Sequence, residues 1–133
     1  MLQNDGSIIR QIELNFFTIA LHSNGIISVK ITSGEDIEVE HVKQIIRSIG
    51  EIGGEKKYPV LIVVNEFILP TTEARNYLAT SESNPYGTAA AYVIQSFSQK
   101  LVGNFYLNYN KPFRPTRLFN SEEKALEWLK TFL

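Results

Sequence analysis

Thr71 and Thr72 are the residues whose chemistry and placement first suggest a site. They follow Pro70 and open Thr71-Thr72-Glu73-Ala74-Arg75, which reads as the first turn of a helix. A buried strand that delivers a polar loop and a helix start is a frequent place for function in α/β proteins. The plainer role, and the expected one, is an N-cap worth about 1 kcal/mol. Just upstream, Asn65 and Glu66 end an apolar run, at the place where open α/β sheets gather ligands. Loop polarity and local turn bonding account for both residues more simply. Arg75 stands where it can hold an anion beside the helix start or pair with Glu66.

Other chemistries find little footing. The chain has no cysteine, which excludes disulfides, thiolate nucleophiles and cysteine-ligated metals. His22 and His41 fall in different elements, one at a strand end and one on the polar side of a helix. Neither has the sequence neighbours of a hydrolase triad. Glu122-Glu123 suits the start of a helix better than paired acid catalysis. Gly50–Gly54 lacks the lysine-serine ending of a phosphate-binding loop. Lys111, Arg114 and Arg117 surround Phe113, a mixture that can bind single-stranded nucleic acid. Three charges in a chain of net charge −1 favour an ordered loop and no nucleic-acid partner. The expectation is a protein that is not an enzyme, with no cofactor and no metal.

These residues need elements to hold them. Val60-Leu61-Ile62-Val63-Val64 is an unbroken, β-branched run suited to a strand buried on both faces. Before it, residues 1–9 read as a loose lead-in, and Arg10–His22 alternates with a change of phase between Phe16 and Phe17, predicting a bulge or break. Asn24-Gly25 predicts a hairpin into Ile27–Ile31. Ser33-Gly34-Glu35-Asp36 leads into a helix striped by Val39, Val42, Ile45, Ile46, Ile49 and Ile52, ending at Gly53-Gly54. Beyond the central run come a short helix from Thr72, a strand over Ala89–Ile94 and a helix from about Phe97. A strand at Thr116–Phe119 and a final helix capped at Asn120 complete the chain. The prediction is one α/β domain over residues 1–133: an N-terminal β-hairpin, then alternating helices and strands. The sheet is expected to be mostly parallel and five-stranded, covered by about four helices. A 44% hydrophobic content with 20% charged residues suits such a globular domain. With no signal-like or membrane-spanning stretch, a cytoplasmic protein without membrane insertion is the default.

This order resembles the STAS domain of anti-sigma-factor antagonists, and most of all the poorly characterised bacterial STAS-like proteins. The likeness runs from about Phe17 to the end. It is carried by Asn24-Gly25-Ile26-Ile27, Pro59–Val64, Glu73-Ala74-Arg75, and Arg117-Leu118-Phe119 followed by Ala125–Leu129. The resemblance implies an intracellular regulatory module acting through a protein partner or as a homodimer, with a phosphoacceptor at Thr71 or Thr72. The family's usual Asp-Ser-Ser-Gly-type motif is missing, and Asn65–Pro70 stands in its place. Phe105, Tyr106 and Tyr109 cannot all be buried on one helical stripe and are the candidate interface. The alternative is a binder of a small apolar ligand or lipid, with a cavity lined by Phe97, Phe105 and Trp128.

Overall fold

A computed structural model describes residues 6–32 and 35–133, so Ser33 and Gly34 of the expected Ser33–Asp36 loop, and residues 1–5 of the expected lead-in, lie outside it. The elements are β1 (Ile8–Glu13), β2 (Phe17–His22), β3 (Ile27–Ile31), α1 (Val39–Ile52), β4 (Tyr58–Val64), α2 (Thr72–Leu78), β5 (Gly87–Val93), α3 (Phe97–Phe105), β6 (Thr116–Phe119) and α4 (Glu122–Leu129). The strands form one sheet in sequence order, β1 through β6. β2 runs antiparallel to both β1 and β3, and β3 through β6 are parallel. The α/β class is as expected, but the sheet has six strands instead of five.

The additional strand comes from the phase change at Phe16-Phe17. The chain reverses there completely: the Leu14 N–H donates to the Phe17 carbonyl at 2.9 Å, and Ile12 pairs with Ile19. Residues 8 and 9 therefore belong to an edge strand, not to a lead-in. A shift in period-two alternation looks the same for a bulge and for a tight hairpin, because both exchange the two faces. The Asn24-Gly25 turn forms as expected. Gly25 takes φ +86° and its N–H donates to the His22 carbonyl, while Asn24 Oδ1 accepts from the Ile26 N–H.

The parallel register builds the two faces. Val29, Ile62, Tyr92 and Leu118 lie in one row across β3–β6, and Ile27, Val60, Ala90 and Thr116 in the next. These rows face α1, α2 and α3. The opposite face carries Leu61, Ala89, Ala91 and Val93 beneath α4, where Ala125 and Leu129 are fully buried. Small β5 side chains let α4 approach closely. Its cap is Ser121, whose Oγ accepts from the Lys124 N–H at 3.2 Å, one residue later than expected. On the first face, α1 buries Val42, Ile45, Ile49 and Ile52 against Phe17, Ile19, Val29 and Ile31. Each fully buried aliphatic side chain stabilises the fold by roughly 1.5–3 kcal/mol. Among the described residues no helix is long and apolar enough to cross a membrane.

Candidate functional site

The candidate residues from the carboxyl end of β4 to the start of α2, exposed Glu66 apart, hold local structure together. Asn65 Nδ2 donates to the Thr32 carbonyl at 3.3 Å, and its Oδ1 accepts from the Phe67 N–H at 3.0 Å. Glu66 is exposed. With Lys30, Thr32 and Gln95 these two residues line a shallow polar groove of about 220 Å³. Thr71 is the N-cap of α2, its Oγ1 accepting from the Ala74 N–H at 3.1 Å. Thr72 is exposed and accepts from Arg75 Nη2 at 3.3 Å. Arg75 does not pair with Glu66. It donates instead to the Pro70 carbonyl at 3.1 Å, lies 5.4 Å from the centre of the Phe105 ring, and keeps a buried Nε without a partner.

α3 is placed by a polar clasp. Ser96 Oγ caps it by accepting from the Gln99 N–H, and Gln99 Oε1 accepts from the Gln95 N–H. Gln99 Nε2 donates to the carbonyls of Asn65 and Ile68 at 2.7 and 3.1 Å. Gln99 is the one residue that α3 buries. A helix that covers a sheet ordinarily buries an apolar stripe. Here Phe97, Leu101, Phe105 and Tyr109, spaced by four, are all exposed, and the rings of Phe105 and Tyr109 stack at 4.5 Å. Of the three aromatic interface candidates, Tyr106 is not available. It points the other way and is buried, because one residue advances the helix by about 100° and a five-residue π turn at Tyr106–Asn110 follows α3.

Beneath α3 lies an apolar cavity of about 170 Å³. Its floor is the sheet face of Ile62, Ala90, Tyr92, Ile94 and Leu118; α1, α2 and α3 form its roof. All five floor residues are only partly buried, although helices cover them, whereas Ala89, Ala91 and Val93 on the other face are fully buried. The floor therefore looks into space. Gly103 sets the roof height on the β6 side, since a side-chain carbon there would lie 2.7 Å from Leu118 Cδ1. The expected lining by Phe97, Phe105 and Trp128 is not what forms. The first two face outward, and Trp128 packs against Phe119 and Phe132 on the α4 face. Helical spacing shows that residues share a side but not which side meets the sheet.

One end of the cavity is polar. The rings of Tyr92 and Tyr106 meet edge to face at 6.3 Å, and Arg114 lies close enough to Tyr106 for their charges to interact. Burial pushes both tyrosine hydroxyls well above the ordinary phenol range, and for Tyr106 the neighbouring Tyr92 adds to the rise while Arg114 opposes it. Burial also draws the Arg114 guanidinium below its usual range, against the opposing influence of Tyr106. Arg114 Nη2 donates to the Ser81 carbonyl at 2.9 Å, and its guanidinium stands 5.6 Å from the centre of the Phe113 ring. The basic loop does not act as one surface, for Arg117 turns to Trp128 and Phe119. Tyr92 and the inward turn of Arg114 were not among the candidate residues. The signal for Tyr92 was its place in the strand's alternation, in step with Ala90 and Ile94.

The two histidines stay apart. Nδ1 of His22 lies 2.7 Å from the Gly6 carbonyl and its Nε2 lies 2.9 Å from Ser28 Oγ. The carbonyl can only accept, so Nδ1 carries a proton, and in the neutral ring Nε2 accepts from the serine. This serine–histidine pair lines neither cavity, and it ties the start of β1 to the sheet. His41 Nδ1 accepts from the Glu38 N–H at 2.9 Å at the start of α1.

A family model described as Domain of unknown function (DUF7793) matches residues 19–133. The chain belongs to that family. The DUF7793 match runs from within β2 to residue 133, and so includes the whole cavity and its polar end. A search of curated proteins found no match. Among solved structures, the DUF7793 chain is similar to a protein with unknown function from Arthrobacter sp. FB24, at 23% identity and a TM-score of 0.30, covering 84% of this chain and 96% of that one. At so low a score the likeness bears on neither fold nor function.

Proposed function

We propose that this domain is a non-enzymatic binding module for a small, largely apolar ligand held between the sheet and its three covering helices. One observation carries the reading: the cavity floor of Ile62, Ala90, Tyr92, Ile94 and Leu118 is covered by helices yet not filled by them. Protein interiors are packed as densely as organic crystals, so a gap of this size is unusual. A dry apolar cavity of roughly 150 Å³ is known to hold benzene, which sets the scale of ligand for 170 Å³. Toluene titration followed by amide NMR tests it. Shifts are expected at Ala90, Tyr92, Val102 and Gly103, with a rise in unfolding free energy of about 2.7 kcal/mol at one hundred times Kd. Shifts scattered over the surface, or no stabilisation, would refute the reading.

A second reading is a STAS-like module that works by protein contact, as the resemblance implies. The exposed stripe of Phe97, Leu101, Phe105 and Tyr109 supports it. Leu101→Glu should then abolish association with a partner or second copy in light scattering or co-purification. Because Leu101 is exposed, its unfolding free energy should move by no more than about 0.5 kcal/mol. Unchanged association in this variant would count against the stripe.

A further inference from the structure

We infer that the ligand is a small apolar monoanion, an aryl or short-chain carboxylate, with its body over Ile62 and Leu118 and its carboxylate at Arg114, Tyr106 and Tyr92. The inference rests on the cavity reading and adds the chemistry of the ligand's head. Three observations converge on it.

First, the polar end is made of donors. A guanidinium has five N–H groups and accepts nothing, and phenol hydroxyls beside it are aligned by its charge to donate elsewhere. Of the Arg114 nitrogens, Nη2 is bonded to Ser81. Among the described residues neither phenol oxygen has a hydrogen-bond partner, and neither is sealed off from open space. Polar groups inside proteins are nearly always paired, so unpaired donors at an apolar cavity point to an acceptor that comes with the ligand.

Second, among the described residues no aspartate or glutamate forms an ion pair with Arg114, whose hydrogen bond goes to the Ser81 carbonyl. A partly desolvated cation without a counter-ion is unfavourable, and an anionic ligand head relieves it. The planar fork of arginine fits a carboxylate through two parallel hydrogen bonds.

Third, the charged end is also the entrance. Phe113 is the lining residue that stands mostly in solvent, 68% exposed, and Arg114 follows it in the chain. A carboxylate seated there keeps part of its hydration while the apolar body enters the cavity. This placement lowers the desolvation cost that would defeat a charge bound deep inside.

Benzoate and benzyl alcohol, similar in size and differing in charge, test the inference when titrated into the full chain with toluene as reference. Wild type is expected to bind benzoate at least about tenfold more tightly than benzyl alcohol at neutral pH and low salt. Arg114→Gln should remove that preference by weakening benzoate about tenfold, while toluene and benzyl alcohol change by less than about twofold. Retained toluene binding shows that the variant is folded with its cavity intact. Arg114→Lys should restore part of the preference, since it keeps the charge and loses the fork. If wild type binds benzoate no better than benzyl alcohol, or Arg114→Gln keeps the preference, the anion assignment falls and the cavity reading stands. If even toluene fails to bind wild type, both fall.

Discussion

Ala90→Leu is expected to abolish toluene binding while leaving the protein as stable as wild type or more so, whereas Ala91→Leu should destabilise it by about 1–3 kcal/mol. The two alanines are neighbours in β5, and alternation sends them to opposite faces. Ala90 looks into the 170 Å³ space, so three added carbons meet apolar walls rather than atoms already in contact. Filling a void recovers dispersion contacts that its lining lacks. Ala91 is fully buried in the cluster of Ala89, Val93, Ala125 and Leu129 beneath α4. The same carbons there force α4 away from the sheet or push side chains off their rotamers. Urea unfolding of both variants, with toluene titration of Ala90→Leu, gives the comparison. Equal destabilisation by the two substitutions would mean that the Ala90 face is as tightly filled as the other.

The second large effect is alkaline. Tyr92 and Tyr106 are both held protonated by burial, with folded-state pKa values well above the ordinary value of 10.0. Above pH 10 the unfolded chain releases these two protons and the native state keeps them. The unfolded state then binds fewer protons, so stability must fall as pH rises. With both groups fully retained, the slope approaches about 2.7 kcal/mol per pH unit, two protons at 1.36 kcal/mol each. Below pH 10 the contribution is constant, and no loss from this pair is expected. Denaturant unfolding between pH 9 and 11 should show the decline in wild type and a much shallower one in Tyr92→Phe/Tyr106→Phe. A double variant with the wild-type slope would show that the loss comes from other groups.

Much of the architecture was legible in the residues. Asn24-Gly25 announced its turn, the β-branched run announced β4, and the three-four spacing of Val42, Ile45 and Ile49 announced α1. These are short-range signals, in which one element's periodicity is enough. The edge strand β1 was hidden because a hairpin and a bulge leave the same mark on alternation. At the β4–α2 junction, Thr71 and Asn65 could be placed in advance, and the bland roles open to them there, cap and turn, are the ones they take.

The cavity could not be read in this way. Whether an apolar face is filled depends on how far a helix from elsewhere in the chain stands from it. That distance is set here by Gln99 reaching Asn65 and Ile68, and by Gly103 resting on Leu118. Tyr92, Tyr106 and Arg114 likewise belong to three separate segments, and only the crossing of β5, the π turn and the loop before β6 brings them together. Pattern within the chain dictated most of the elements and the inward face of α1. Long-range packing decided that one inward face would be left open, with unpaired donors at its mouth.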